Sequence, residues 1–284
     1  MNKVVSLNGQ SYPVEVEGKG PIPCLCIGIG SLMLRSLSVQ FKELFTVYSV
    51  DLYFDAANKH NEPSRLTMNT LALDVIKVIE GLGLSKPVII AHSCFGILAL
   101  EVAKLTTDLR GIILVASAPQ WNSQSIAATN DYFSTHAEPE RIKNDQERKA
   151  KYALIKKPTD SEVSIERYIA DSARYWADFN VTDEEIKALW KGTVIDDAVV
   201  NQFFEVILPN YDLKFHLEKV VCPVILLAGE KDFDSIPLVH WQTYPRPSHF
   251  TLIHCGDVGH WPQLEARELF DKSVGDWVQD HLTN

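Results

Sequence analysis

The chain of 284 residues carries 27 lysines and arginines against 37 aspartates and glutamates, a formal charge of −10. That balance excludes a general nucleic-acid or anionic-membrane binder, because neutralising phosphates needs a cationic face. A hydrophobic content of 46% supports a large core, yet no stretch reaches the about 18 apolar residues that a membrane-spanning helix needs.

Val4–Leu7 and Tyr12–Val16 flank Asn8-Gly9-Gln10 and read as a hairpin. A breaker-rich link then leads to a buried strand over Pro23–Ile27, which ends in Gly28-Ile29-Gly30-Ser31. A helix is predicted from Leu32 to Leu44, followed by a strand over Thr46–Leu52 with Asp51 near its end. Leu71, Val75, Val78, Ile79 and Leu82 recur at helical spacing from Thr67 to Leu82 and close on Gly83. Val88–Ala91 is a strand that stops at Ser93, a helix begins at about Gly96, and Leu109–Val115 is the next apolar strand. This alternation predicts an α/β fold with a mostly parallel sheet covered by helices on both faces.

From 121 to 211 no strand pattern appears. Thr182-Asp183-Glu184-Glu185 reads as a capping box for a helix stopping at Gly192. Val199, Val200, Phe203, Phe204 and Ile207 form an apolar helical face. The block predicts a helical insertion over the sheet, dividing the core into 1–120 and 212–284. Strands resume at Val220–Ala228 and Phe250–His254, and a helix closes the chain from about Ala266 to His281. The five cysteines (Cys24, Cys26, Cys94, Cys222, Cys255) are odd in number and mostly within apolar runs. They predict free thiols in a reducing compartment. With no apolar run at Met1–Gly9 to act as a signal peptide, the expectation is a cytoplasmic protein.

Ser93 is the most informative position. A strand turning sharply into a helix lifts the intervening side chain clear and aims the helix's free N–H groups at it. A serine there suits a nucleophile, provided a base and a group orienting that base lie within reach. Two later loops, each after a predicted strand, supply candidates: Gly229-Glu230-Lys231-Asp232 and Gly256-Asp257-Val258-Gly259-His260-Trp261. Parallel sheets gather ligands at their C-terminal strand ends, where all three loops fall.

These motifs resemble the α/β-hydrolase superfamily over nearly the whole chain. Ala91-His92-Ser93-Cys94-Phe95-Gly96 is similar to the nucleophile elbow Gly-x-Ser-x-Gly, and Gly259-His260-Trp261-Pro262-Gln263-Leu264-Glu265 to the histidine loop. The resemblance implies Ser93 as nucleophile, His260 as base and Asp232 as orienting carboxylate. It implies an oxyanion hole from the backbone N–H groups of Ile29 and Cys94, a cap over 121–211, and no metal or organic cofactor. The implied reaction is hydrolysis of a small, largely apolar ester or related acyl compound, with no nucleic-acid or membrane partner. Carbon–carbon bond hydrolysis of a β-diketone is the alternative on the same scaffold. Gly28, His92, Phe95, Trp176 and Trp261 are the candidates for the substrate pocket.

Departures and rivals stand beside this reading. Phe95 occupies a crowded elbow position that is normally glycine, which motivates a low-turnover ligand sensor as the reading from a different class. Ala91 replaces the elbow's first glycine, Ile27 replaces a frequent histidine, and Asp51 is not followed by Arg-Gly-x-Gly. Cys94 is a rival nucleophile and Asp234 a rival carboxylate. Gly28-Ile29-Gly30 with Asp51 hints at a dinucleotide site but lacks the third glycine. His254, Cys255, Asp257 and His260 cluster without a recognised metal spacing.

Overall fold

The computed structural model describes residues 2–56, 62–154 and 160–283, and the side chains of 2 and 160–164 are not described. The strands are β1 (Asn2–Leu7), β2 (Gln10–Glu17), β3 (Ile22–Cys26), β4 (Phe45–Ser49), β5 (Val88–His92), β6 (Gly111–Val115), β7 (Val224–Ala228) and β8 (Phe250–His254). They form one sheet in the order β1-β2-β4-β3-β5-β6-β7-β8. β1 and β2 pair antiparallel, β2 meets β4 antiparallel, and every pairing from β4 to β8 is parallel.

Helices α1 (Gly30–Ser36), α2 (Val39–Leu44), α3 (Met68–Gly81) and α4 (Phe95–Leu105) lie between the early strands. Between β6 and β7 the chain forms α5 (Ser123–His136), α6 (Pro139–Ala153), α7 (Asp160–Ala170), α8 (Ser172–Tyr175), α9 (Asp183–Trp190) and α10 (Asp197–Asn201). A π-helical turn over Gln202–Ile207 follows α10. The core resumes with α11 (Pro237–Thr243), α12 (Pro262–Glu265) and α13 (Arg267–His281).

One face of the sheet packs Leu25, Ile89 and Ile112 with residues of α3 and α4. The other packs Cys24, Cys26, Ile90 and Ile113 with Phe41 of α2 and Phe270 and Trp277 of α13. Both faces are covered, so β6 and β7 are buried along their whole length and read as unbroken apolar runs.

Several strand ends differ from the sequence reading by one or two residues, and three boundaries differ by more. The expected helix from Leu32 to Leu44 is two helices. Leu37 is extended, and Ser38 restarts the helix by accepting the Phe41 N–H at 2.9 Å. β4 ends at Ser49, and Leu52 sits at φ +42° in a short 3-10 turn. β7 starts at Val224, because Pro223 has no N–H to donate and Val221 is exposed.

The cap helices are tied to the core by backbone as well as side chains. Asp55 and Ile195 form an antiparallel bridge, flanked by Ala56 N–H to Val194 O (3.0 Å) and Asp196 N–H to Phe54 O (2.9 Å).

Candidate active site

β5 is held between β3 and β6 and delivers Ser93 just past its end. The Ser93 N–H still donates to Val115 O of β6 at 2.9 Å, while its carbonyl already accepts the Gly96 N–H at 3.0 Å. Reconciling the two bonds puts Ser93 at φ +57°, a left-handed conformation that non-glycine residues adopt at a cost of about 1–3 kcal/mol. The turn aims its side chain into a cavity of about 710 Å³ that His260 also lines. Cys94 caps α4 and Ile29 caps α1, so each presents a backbone N–H with no acceptor in its own helix.

Phe95 does not crowd the elbow. Its ring occupies the space above Gly28, where any Cβ would overlap it. It meets Phe54 at 5.0 Å and stacks on Phe203 of the cap at 5.2 Å. The tight approach falls one residue later: a Cβ on Gly96 would overlap Ser117 Oγ and lie 2.7 Å from Ser117 Cβ. Gly28, at φ +88°, serves this packing and does not line the cavity, a correction to its reading as a pocket residue. Trp176 is corrected likewise. It stacks on Trp261 at 6.1 Å, and its neighbour Tyr175 lines the cavity instead. His92, Phe95 and Trp261 do line it.

The loops after β7 and β8 bring Asp232 and His260 together. His260 Nδ1 lies 2.8 Å from Asp232 Oδ2, with both side chains buried. A carboxylate only accepts, so Nδ1 carries the proton and Nε2 is left toward the cavity. Asp232 also accepts from the N–H groups of Asp234 (3.2 Å) and Ser235 (3.1 Å) and from the Ser235 hydroxyl (3.0 Å). Asp234, the rival carboxylate, stands 4.0 Å from Nε2, too far for a hydrogen bond.

Burial alone would lower the His260 pKa. The charge and hydrogen bond of Asp232 outweigh it, with Asp234 and Glu265 adding, so the pKa lies above the ordinary value. His92 moves the other way. Burial and then the neighbouring His260 hold it well below the usual range, so it is neutral. Its Nε2 meets the His260 carbonyl at 2.7 Å and must therefore be the protonated nitrogen. Stacked 4.2 Å from Trp261, it braces the histidine loop.

The cap contributes directly. The His260 N–H donates to Tyr175 O at 2.6 Å, the Ala177 N–H to Glu265 at 2.7 Å, and the Phe233 N–H to Arg174 O at 3.0 Å. One cap segment around α8 thus grips both the Asp232 and the His260 loops. Tyr168 and Tyr175 stack at 4.3 Å beside the imidazole, and the Tyr168 hydroxyl accepts the Trp261 indole N–H. Ile27, Ile29, Leu32, Met33, Ile126 and Ile195 give the cavity an apolar wall.

Asp51 is engaged elsewhere. It accepts the N–H and hydroxyl of Ser31 at 2.7 and 2.6 Å and so fixes the loop that carries Ile29. Among the described residues no group of three or more histidines, cysteines, aspartates or glutamates is placed to hold a metal ion, and no helix is long and apolar enough to cross a membrane.

The signature of the alpha/beta hydrolase family matches residues 28–272. The AB hydrolase superfamily protein YclE of Bacillus subtilis (strain 168) is 26% identical over 281 residues, covering 95% of this chain and 96% of that protein. An alpha/beta fold family hydrolase from Bacillus anthracis (strain Sterne) superposes with a TM-score of 0.72 at 19% identity, covering 97% and 98% of the two chains. A thermophilic esterase from Thermogutta terrifontis has a TM-score of 0.65 at 19% identity over 100% of both chains. The parallel sheet, the turn at Ser93 and the match over most of the sequence give one conclusion: the chain belongs to the alpha/beta hydrolase family.

Proposed function

We propose that the protein is a serine hydrolase that cleaves small, largely apolar esters or related acyl compounds through an acyl-enzyme on Ser93. The observation that carries this reading is the convergence on one cavity of a strained serine and a buried imidazole whose Nδ1–H is bonded to Asp232.

Ser93 Oγ attacks the acyl carbonyl and passes its proton to His260 Nε2. Asp232 holds the tautomer and stabilises the imidazolium. The N–H groups of Ile29 and Cys94 donate to the oxyanion; losing one such donor typically costs about 3 kcal/mol of transition-state stabilisation. His260 returns the proton to the leaving group. A water, deprotonated by the same imidazole, then attacks the acyl-enzyme, releasing the acid and restoring Ser93. The apolar wall and the cap exclude bulk water and limit substrate size. The ring packing of Phe95 removes the reason to suspect a distorted elbow. The five free, buried thiols suit a cytoplasmic setting.

A fluorophosphonate probe tests the reading. Wild-type protein should be labelled promptly, and Ser93→Ala, with unchanged circular dichroism, should not. A folded wild type that refuses both the probe and a panel of short-chain esters would overturn hydrolysis and leave ligand binding as the better account.

A further inference from the structure

The carboxyl group of Asp234 has no work in the scheme above, yet it faces the chemistry. It lines the cavity, with Oδ2 4.0 Å from His260 Nε2 and its side chain 18% exposed. Among the described residues no N–H or O–H donates a hydrogen bond to it; His260 is its one partner within ion-pair range. Of the three cap cations that line the same cavity, two are engaged elsewhere. Lys149 pairs with Asp145 (2.9 Å) and Asp171 (3.3 Å). Arg174 pairs with Asp145 (3.2 Å), donates to Asn130 (2.7 Å) and lies over the Phe133 ring. Arg167 is exposed on α7.

A mostly buried carboxylate with no hydrogen-bond donor is costly, and a bound ligand can supply the missing donor. We propose that Asp234 binds a cationic nitrogen carried a few bonds from the acyl carbonyl of the substrate, so that the preferred substrates are ammonium-bearing esters of the amino-acyl type. The inference rests on Ser93 as nucleophile, since that oxygen fixes where the carbonyl lies. The stacked rings of Tyr168 and Tyr175 add faces that attract a cation. A carboxylate here also shields the ammonium from the imidazolium that forms on His260. A carboxylate on the substrate at the same place would be repelled.

Asp234 is itself titratable in a useful range. Burial pushes its carboxyl up to about 6; His260 pulls it down, Asp232 and Asp171 push it up, and Arg174 pulls it down. Charge recognition is therefore present above pH 6 and fades below it. His260 protonates on acidification too, but that slows every ester alike and cancels in a ratio of substrates.

The test compares kcat/KM for ethyl esters of 3-aminopropanoic, butanoic and succinic acids, by pH-stat, in wild type and Asp234→Asn. At pH 7.5 wild type should favour the ammonium ester over the neutral one by about tenfold or more, and the succinate half-ester should be slowest. In Asp234→Asn the ammonium preference should collapse toward unity, whatever the absolute rate. In wild type alone the preference should also shrink as pH falls through 6, so a poorly folded variant does not spare the proposal. Asp234→Ser serves as a second replacement. An ammonium-to-neutral ratio near or below one in wild type, or one unchanged by substitution and pH, overturns it. If wild type hydrolyses none of the three above the level of Ser93→Ala, the hydrolase reading itself has failed. A neutral ester that is cleaved without charge preference sinks the Asp234 inference alone.

Discussion

His260 is pulled in two directions, and the outcome sets a measurable pH limb. Burial disfavours the imidazolium; Asp232 at 2.8 Å, with Asp234 and Glu265 further off, favours it more strongly. The folded-state pKa is therefore above the ordinary value of about 6.5. A base must be deprotonated to act, so kcat/KM should fall on acidification with a midpoint above 6.5. Asp234→Asn removes one of the raising charges and should move the midpoint to lower pH. Initial rates with a neutral ester across pH 5 to 9 check both statements. A midpoint below 6.5 would show that burial wins over the carboxylates. Ser93, Asp232 and His260 were legible as candidates because each lies in a loop that follows an apolar strand. The second carboxylate at 234 was visible only as a rival to Asp232, since spacing along a loop does not say which side chain turns toward Nε2. The crowding at the elbow was also misplaced. It depends on how Gly28, Phe95, Gly96 and Ser117 meet in space, and three of these come from different elements.

At the scale of elements, the inserted helices hold the Asp232 and His260 loops through Arg141 of α6. This side chain is 1% exposed within a helix rich in charged residues, and nothing in its spacing marks it as the buried one. Its guanidinium donates to the carbonyls of Ala173 (2.8 Å), Trp176 (2.7 Å) and Ala177 (2.6 Å), and to Glu138 (2.7 Å). Those carbonyls belong to the segment whose Tyr175 oxygen receives the His260 N–H. A planar fork with fixed donors organises such a turn; a lysine cannot reproduce it. Arg141→Leu should destabilise the fold by about 3–5 kcal/mol, the usual cost of breaking a buried charged network. Arg141→Lys should recover part of the stability but still slow fluorophosphonate labelling of Ser93. Urea midpoints and labelling rates measured together decide it. Wild-type values for both in Arg141→Leu would mean that the cap segment holds the histidine loop without this anchor. The helices themselves were well marked, from the Thr182 capping box to the stop at Gly192. Their aromatic residues were legible as cap, whereas the choice of Tyr175 over Trp176 for the cavity turns on a single residue of rotation after α8.

For the molecule as a whole, the mostly parallel sheet covered on both faces followed from alternation, since strands joined by helices pair in parallel, whereas the strand order, with β4 and β3 transposed, did not. One consequence concerns the thiols of Cys24 and Cys26. Both project from β3 into the layer under α2 and α13, beside Phe41, Phe270 and Trp277, with no exposed surface. Burial pushes both thiols well above the ordinary cysteine range, and the Asp51 charge adds to this at Cys26. The reactive thiolate is thus scarce, and a reagent can reach it only if the sheet parts from its last helix. β3 lies at the centre of the sheet between β4 and β5, so opening it breaks ladders on both sides and amounts to unfolding the core. Labelling of these two cysteines by a water-soluble disulfide, read by peptide mass spectrometry, should therefore be absent on the native protein. It should rise with urea along the same curve as the loss of far-UV circular dichroism. Labelling of either peptide while the circular dichroism is still native would show that α13 detaches on its own. The two layers of the molecule would then be separate cooperative units, and the site at the strand ends would rest on the inner one alone.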